Sequence, residues 1–396
     1  MKDQSFKMST LLTTSYFLLV LFFLYAVYFI YFQNILHHGD FKLHAGFIND
    51  SNVIGYSLLT RGGKVLQSLG LNNLIEVLDQ IKILAVVSIF GRWYLTFLII
   101  KKVLRNRNLL EVFFYSSVVM ISLNFWGVNT DIWKIERFET ALLFFFNDWH
   151  NPTVLPANFF TVLLSYILFK TNEDKWELDV RSWLLVIAVI YLGYHFKPSF
   201  FSSFTGALFF LLLLFSKYLS RYQIFTYLKL LSISIIIFLL IKWMTPFLTE
   251  ENIKIKFSFF DFLLNSSRLK NGQSLFFIIL NFTFPLILLI QTFYRRKNED
   301  VHIWLLFSLL CLAGFFQPML LSEPGDRLNH SNFRWSSFSV FAFVAPYSLG
   351  LAVNSFKERK AFTSLSCMPF YAYLLCFISG AHWMLKYVIL GEFYNE

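Results

Sequence analysis

The stretch IKILAVVSIFGRWYLTFLII, from Ile81 to Ile100, is almost entirely apolar and carries charge only at Lys82 and Arg92. An α-helix needs about 20 mostly apolar residues to cross the hydrocarbon core of a bilayer. Similar runs recur along the whole chain. Because backbone groups that face lipid must find their hydrogen-bond partners within each crossing segment, these runs are expected to be helices. The sequence therefore predicts an all-α fold, a polytopic transmembrane helical bundle.

Working outward from this stretch, we predict about eleven crossings, within a range of about 10 to 12, in a single integral membrane domain that spans residues 1–396. They are Leu11–Phe32, Ile81–Ile100, Leu109–Gly127, Val154–Phe169, Trp183–Phe196, Phe200–Phe215, Leu230–Phe247, Ser274–Phe293, His302–Leu320, Ser336–Ala352 and Phe362–Val388. The two crossings on either side of Lys197–Ser199 are short, so a re-entrant hairpin is an alternative there. The first run is too long for a signal-peptide core, which favours a retained helix.

The composition excludes a soluble enzyme. Hydrophobic residues make up 57% of the 396 and charged residues 15%, against about 45–50% and about a quarter in soluble proteins. Three cysteines lie in apolar runs without a CxxC spacing, so we expect neither a disulfide framework nor a zinc site. The net charge of +10 is scattered among the loops. It favours anionic lipid headgroups or a phosphorylated substrate, and not nucleic acid, as the partner.

Short basic loops set the expected orientation, because lysine and arginine are enriched on the cytoplasmic side. KKVLRNR (101–107), YRRK (294–297) and KERK (357–360) fall on one side of the predicted bundle, together with Lys2 and Lys7. We therefore predict a cytoplasmic N-terminus. The opposite, outer side receives the segments 33–80, 128–153 and 248–272 and the charged hairpin 321–335.

Basic residues are also plentiful on the predicted outer side, where the topology rule does not require them. They include Arg61, Lys64, Lys134, Arg137, Lys197, Lys254, Lys256, Arg268, Lys270, Arg327 and Arg334. This excess of positive charge indicates that an anionic group binds at the outer face.

The first outer segment begins HHGDFKLH, directly after the first predicted crossing. Asp40 is a candidate general base, because a carboxylate at the edge of an apolar site can have its pKa raised toward the working range. A solvated helix end is the alternative. Three histidines, His37, His38 and His44, suit a metal in residue type, but no further ligand pattern accompanies them.

Two further clusters precede predicted helices. In NDWHNPT, His150 and Asn151 come just before Pro152, which is tolerated in the first turn of a helix. A capping turn accounts for Asn151 and Thr153, whereas His150 is a candidate catalytic residue. In YHFKPSFF, Lys197 is a candidate phosphate ligand beside His195 and Ser199. A lysine that merely snorkels to the headgroups is the alternative.

The hairpin SEPGDRLNHSNFRW contains two acidic residues, two arginines and a histidine between two apolar runs. Its two arginines could form a fork for a pyrophosphate, since a guanidinium suits bidentate contact with phosphate. The alternative is internal neutralisation within the hairpin. The candidate residues here are Glu323, Asp326, Arg327, His330 and Arg334. Arg92, inside the second crossing, is either a structural counter-ion or a deeper part of the same site.

The motifs HNPT with a following proline (His150–Thr153, Pro156), KPSF (Lys197–Phe200) and an acidic-Pro-Gly-Asp-Arg turn before Asn-Phe (Glu323–Arg327, Asn332–Phe333) occur together. In this respect the chain resembles multi-pass bacterial membrane proteins, over most of the region from Trp149 to Trp335. Its general layout is similar to O-antigen polymerases and ligases and other membrane glycosyltransferases of the GT-C type, which use polyprenyl-linked donors at an outward-facing site. It departs from them in short outer loops and in lacking a clear second acidic motif.

The resemblance implies Asp40, His150 and His330 as catalytic candidates. We expect Lys197, Glu323, Asp326, Arg327, Arg334, Asn151 and Arg61 to be ligands of the pyrophosphate or sugar. No cofactor is expected, and a divalent metal stays an open alternative that the sequence does not indicate. The expected function is a repeat-unit polymerase in a bacterial cytoplasmic membrane, with membrane lipids, a lipid-linked oligosaccharide and other envelope polysaccharide-assembly proteins as partners. A flippase for lipid-linked anionic sugars and a membrane acyltransferase are the alternatives.

Overall fold

The computed structural model describes residues 77–104, 108–121, 153–173, 178–244, 301–322, 335–357 and 367–383, with the positions 48, 65, 67, 68, 70, 256, 257, 287 and 290. Its helices are α1 (Val77–Val103), α2 (Leu109–Ile121), α3 (Val154–Glu173), α4 (Val180–Phe196), α5 (Pro198–Phe215), α6 (Arg221–Met244), α7 (Val301–Leu320), α8 (Trp335–Lys357) and α9 (Met368–Trp383). A 3₁₀ turn, Ser216–Tyr218, joins α5 to α6. The helical character expected from the apolar runs is confirmed for this part of the chain.

Each described helix overlaps one predicted crossing. The predicted crossing Leu11–Phe32 lies outside the described residues, and of Ser274–Phe293 the structure describes positions 287 and 290, both helical. The main difference is at α6, which begins at Arg221 and not at Leu230. Polar residues between these two positions obscured the helix, because a helix is propagated by backbone hydrogen bonds and not by hydropathy.

Within the described ranges, four helices are long and apolar enough to cross a membrane: Asp79–Val103, Pro198–Tyr218, Arg221–Trp243 and Ser339–Lys357. Shorter apolar helices accompany them, among them Val154–Phe169 and Val180–Phe196. These lengths and compositions are those of a multi-span helical membrane protein. Pro198–Tyr218 has the length of a full crossing, which argues against the re-entrant alternative for α5.

Helix α8 lies at the centre of the bundle, in contact with α1, α2, α3, α5, α7 and α9. Of its apolar stretch 78% is buried, against 28% for α6 at the periphery. Small residues permit this central position, since a Cβ added at Gly350 would lie 2.8 Å from Cγ1 of Val103 in α1. Aromatic rings fill the remaining space, and those of Phe169 and Tyr347 stack at 4.1 Å.

Polar contacts define one end of the bundle, which we call the lysine-rich end. Lys102 Nζ at the end of α1 donates to the carbonyl of Phe169 in α3 at 2.9 Å. Lys357, the last residue of α8, forms an ion pair with Glu111 at the start of α2 at 2.6 Å. The ends of α1, α3 and α8 and the start of α2 therefore lie on the same side, as the predicted alternation of crossings requires.

The starts of α6 and α7 are adjacent, because Gln223 Nε2 is 3.2 Å from Nδ1 of His302. They lie at the lysine-rich end, since the start of α8 contacts the end of α7 through Ser336 and Gly314. At the other end of α7, Ser203 of α5 donates to Oε1 of Gln317 at 3.3 Å. We call this second end the junction end, after the α4–α5 junction described below. It contains the starts of α3, α5 and α8 and the ends of α4 and α7.

A short antiparallel pairing joins two distant parts of the sequence. Residues Lys256–Phe257 pair with Leu321–Ser322, which directly follow α7. Lys256 and Phe257 belong to the segment 248–272, and Leu321 and Ser322 begin the hairpin 321–335. The two segments, which we expected on the same side of the membrane, are thus adjacent at these residues.

Candidate functional site

Helices α4 and α5 are joined by a single residue, Lys197. It ends α4 and precedes α5 with extended backbone angles, φ −155° and ψ 102°, and its backbone N–H donates to the carbonyl of Gly193 at 2.9 Å. Pro198 is the first residue of α5. The sequence dictates this break, because proline disfavours a helical conformation in the residue before it and is itself suited to a first helical turn.

The two helices approach each other closely below this junction. A Cβ added at Gly193 would lie 2.1 Å from Cε2 and Cζ of Phe201, whose ring is fully buried. One residue further, the hydroxyl of Tyr194 lies 3.2 Å from Oγ1 of Thr205, which in turn lies 2.5 Å from Oγ of Ser234 in α6. A glycine is therefore needed at 193, and hydroxyl contacts hold α4, α5 and α6 together.

Gly193→Val is expected to destabilise the protein by about 1–3 kcal/mol, because the ring of Phe201 has no free space to enter. A matched control is Gly206→Ala, since a Cβ at Gly206 meets nothing within 4 Å. Alanine there should leave stability unchanged or raise it slightly through better helix propensity. Thermal unfolding of both variants in the same detergent tests this. Equal melting temperatures for the two would contradict the close packing at Gly193.

Polar side chains at the junction are buried. His195 and Lys197 are each 8% exposed and Ser199 is 5% exposed. The imidazole of His195 packs edge-on against the ring of Tyr191, with their centroids 4.6 Å apart. Ser199 Oγ is buried and forms no hydrogen bond within the described part of the chain. An ammonium is costly to bury and is stabilised by negative charge or hydrogen-bond acceptors around it.

The first turn of α5 adds backbone N–H groups, which also favour a negatively charged ligand. The side chain of Lys197, the residue before this turn, makes no capping hydrogen bond to it. The first N–H groups of an α-helix lack intrahelical acceptors, and the helix dipole places partial positive charge there. The ammonium of Lys197, the hydroxyl of Ser199 and the first N–H groups of α5 are therefore adjacent along the chain at one helix start. This donor set suits a phosphate.

Arg92 lies at a similar level of the bundle, on the other side of α3. A Cβ at the preceding Gly91 would touch the ring of Phe159, and the next ring along α3, that of Phe160, stacks on Phe196 at 5.9 Å. Arg92 is only 4% exposed within α1.

Polar contacts between helices support this layer, and the sequence interpretation did not identify them. Ser339 of α8 donates to Oδ1 of Asn158 in α3 at 2.5 Å, and Ser336 of α8 donates to the carbonyl of Gly314 in α7 at 2.8 Å. In the sequence, such contacts are indicated only by an amide or hydroxyl side chain near the start of an apolar run. These contacts fix α3, α7 and α8 around the junction end.

Among the residues predicted from the sequence to act at the site, Lys197 is described, and it lies at the junction end. The others lie outside the described residues: Asp40, Arg61, His150, Asn151, Glu323, Asp326, Arg327, His330 and Arg334. No group of three or more histidine, cysteine or acidic side chains with metal-binding geometry occurs in the described ranges. Cys311, Cys367 and Cys376 are buried free thiols.

The fold thus defines a multi-span helical membrane protein with a buried cationic junction at one end. No protein-family model, curated protein or solved structure matches the chain.

Proposed function

We propose that this protein is a glycosyl-transferring membrane enzyme of cell-surface polysaccharide assembly, a repeat-unit polymerase that uses a polyprenyl-pyrophosphate-linked sugar donor. The observation that carries the proposal is the buried Lys197 at the start of α5. It provides positive charge, a hydroxyl and helix N–H groups at the end of a span, where the pyrophosphate of a membrane-embedded lipid would lie.

The hydrocarbon surroundings suit the lipid part of such a donor. Large apolar side chains of α5 and α6 are exposed on the outside of the bundle, for example Phe209, Leu213 and Ile236. A polyprenyl chain can lie along such a surface while its pyrophosphate reaches the junction end. The paired strands at Lys256–Phe257 and Leu321–Ser322 support a shared site, because they bring the backbone of two charged outer segments together.

In the proposed reaction the acceptor hydroxyl attacks the anomeric carbon of the donor sugar. A new carbon–oxygen bond forms, the bond from that carbon to the pyrophosphate oxygen breaks, and polyprenyl pyrophosphate leaves. Asp40 or His150 accepts the hydroxyl proton as general base. Lys197, Arg327 and Arg334 stabilise the negative charge that develops on the leaving group.

In this proposal the lysine-rich end faces the cytoplasm and the junction end faces outward from a bacterial cytoplasmic membrane. Described basic residues at the lysine-rich end include Lys101, Lys102, Arg181, Lys217 and Arg221. The positive-inside rule supports this orientation. Donors of this type are used at the outward face, which agrees with the position of Lys197.

A flippase for lipid-linked anionic sugars is the second candidate, and Arg92 favours it. An arginine buried within a span is expensive and marks substrate pathways in transporters. In a flippase the same cationic residues would bind the pyrophosphate and release it unchanged on the other side.

Purified protein supplied with a polyprenyl-pyrophosphate-linked repeat unit separates the two candidates. A polymerase releases polyprenyl pyrophosphate and forms a longer glycan, both detectable by mass spectrometry. A flippase moves the intact donor between the leaflets of a proteoliposome without releasing the lipid. Tight donor binding with transbilayer movement and no released pyrophosphate, across a panel of acceptors, would refute the polymerase.

A further inference from the structure

A second cationic surface lies at the opposite end of the bundle, where α4 and α6 begin and α5 ends. Its basic residues are Arg181, Lys217, Arg221 and Lys229, and all four side chains are exposed. No ion pair joins any of them to an acidic side chain in the described ranges. The only described acidic side chain near the start of α4, that of Asp179, accepts the backbone N–H of Ser182 at 2.8 Å.

Lys229 has an unusual place on this surface. It is the eighth residue after Arg221, so it lies about 12 Å further along α6. Its helix is the least buried of the four long described spans, with 28% of the apolar stretch buried. An exposed ammonium at this depth is costly in hydrocarbon unless the side chain extends to the headgroup level.

The direction in which Lys229 extends is set by a contact with α4. Its Nζ lies 5.6 Å from the ring centroid of Trp183, near the start of α4. The lysine therefore leans toward the lysine-rich end, in the cation–π arrangement that an indole favours. Tyr218 and Tyr222, both exposed, lie close to the start of α6. Tryptophan and tyrosine at this level are typical of the membrane–water interface.

We infer that the exposed surface where α4 and α6 begin, which carries the Trp183–Lys229 contact together with Arg181 and Arg221, binds the phosphate of an anionic phospholipid. The occupant follows from position and charge. On the α6 side no acidic residue occurs in the sequence from Pro198 to Thr249. On the α4 side the described carboxylate, that of Asp179, accepts the backbone N–H of Ser182, and the basic side chains of both helices are exposed. A phospholipid places its acyl chains in the hydrocarbon and its phosphate at the headgroup level.

Thermal unfolding in nanodiscs tests the inference. The wild type in phosphatidylcholine nanodiscs is compared with the wild type in nanodiscs that also contain phosphatidylglycerol. Specific binding to the native state should raise the melting temperature by about 2–4 °C in the anionic lipid. The combined change Arg181→Gln, Arg221→Gln and Lys229→Gln should remove this rise. Lys242→Gln, at an exposed lysine near the other end of α6, is the matched control and should keep it.

Three results would overturn the inference: no rise for the wild type, an equal rise for the triple variant, or an equal loss in the Lys242→Gln control. An equal rise when inorganic phosphate is added to phosphatidylcholine nanodiscs would assign the site to free phosphate and refute the lipid. Should the triple variant fail to fold, native mass spectrometry of the wild type decides, since it must retain phosphatidylglycerol in preference to phosphatidylcholine. Glycosyl transfer does not enter any of these readouts.

Discussion

Lys197→Met is expected to lower the rate of glycan formation by about 10²–10³-fold. This is the loss that accompanies removal of one preorganised charge-stabilising donor from an active site. Methionine is an unbranched, flexible side chain that fills apolar space but carries no charge. The ammonium would be lost at the point where the leaving pyrophosphate gains negative charge. Initial rates of polyprenyl pyrophosphate release, measured at saturating donor, give the effect on kcat.

The matched control is Lys242→Met, because Lys242 is an exposed lysine near the junction-end terminus of α6. It should keep its rate. Lys197→Arg restores the charge with a larger head group and should recover part of the activity. Thermal unfolding shows whether Lys197→Met is folded. If the folded variant releases polyprenyl pyrophosphate as fast as the wild type, Lys197 does not stabilise the leaving group.

Arg327→Ala and Arg334→Ala should each abolish product. If both guanidinium groups hold the donor pyrophosphate, each alanine substitution removes one bidentate contact with it. Arg327→Lys and Arg334→Lys should recover activity poorly, because a point charge cannot reproduce the planar fork. Product formation by the purified variants measures this, with Arg295→Ala in the predicted cytoplasmic loop as the control. Full activity in the two lysine variants would show that charge alone is needed at these positions.

The sequence predicted the described helices well where an apolar run is long and uncharged, as in α7. It placed the start of α6 too late, because Arg221 and Lys229 read as loop residues although both belong to the helix. A lysine can stay in a helix inside the membrane boundary by extending its ammonium to the headgroups. An average hydropathy value does not account for this extension of the side chain. The ends of helices at the membrane–water interface are therefore the hardest to predict.

The candidate site was predictable only in part. The KPS motif indicates a break between helices, since the effect of Pro198 on Lys197 is local. The burial of Lys197 and the 2.5 Å contact between Asn158 and Ser339 depend on which helices are neighbours. Helices α1, α3 and α8 run in the same direction around a common core, and no local pattern encodes that arrangement. Polar residues in an apolar run indicate that a partner exists without identifying it.

The most direct test of whether the junction end holds the donor is a binding measurement. It compares the affinity of the purified wild type and of Lys197→Met for polyprenyl pyrophosphate. The wild type should bind this leaving group, and Lys197→Met should bind it at least about tenfold more weakly, which corresponds to about 1.4 kcal/mol. Lys242→Met should bind like the wild type. Equal dissociation constants for all three proteins would place the pyrophosphate elsewhere and contradict the account.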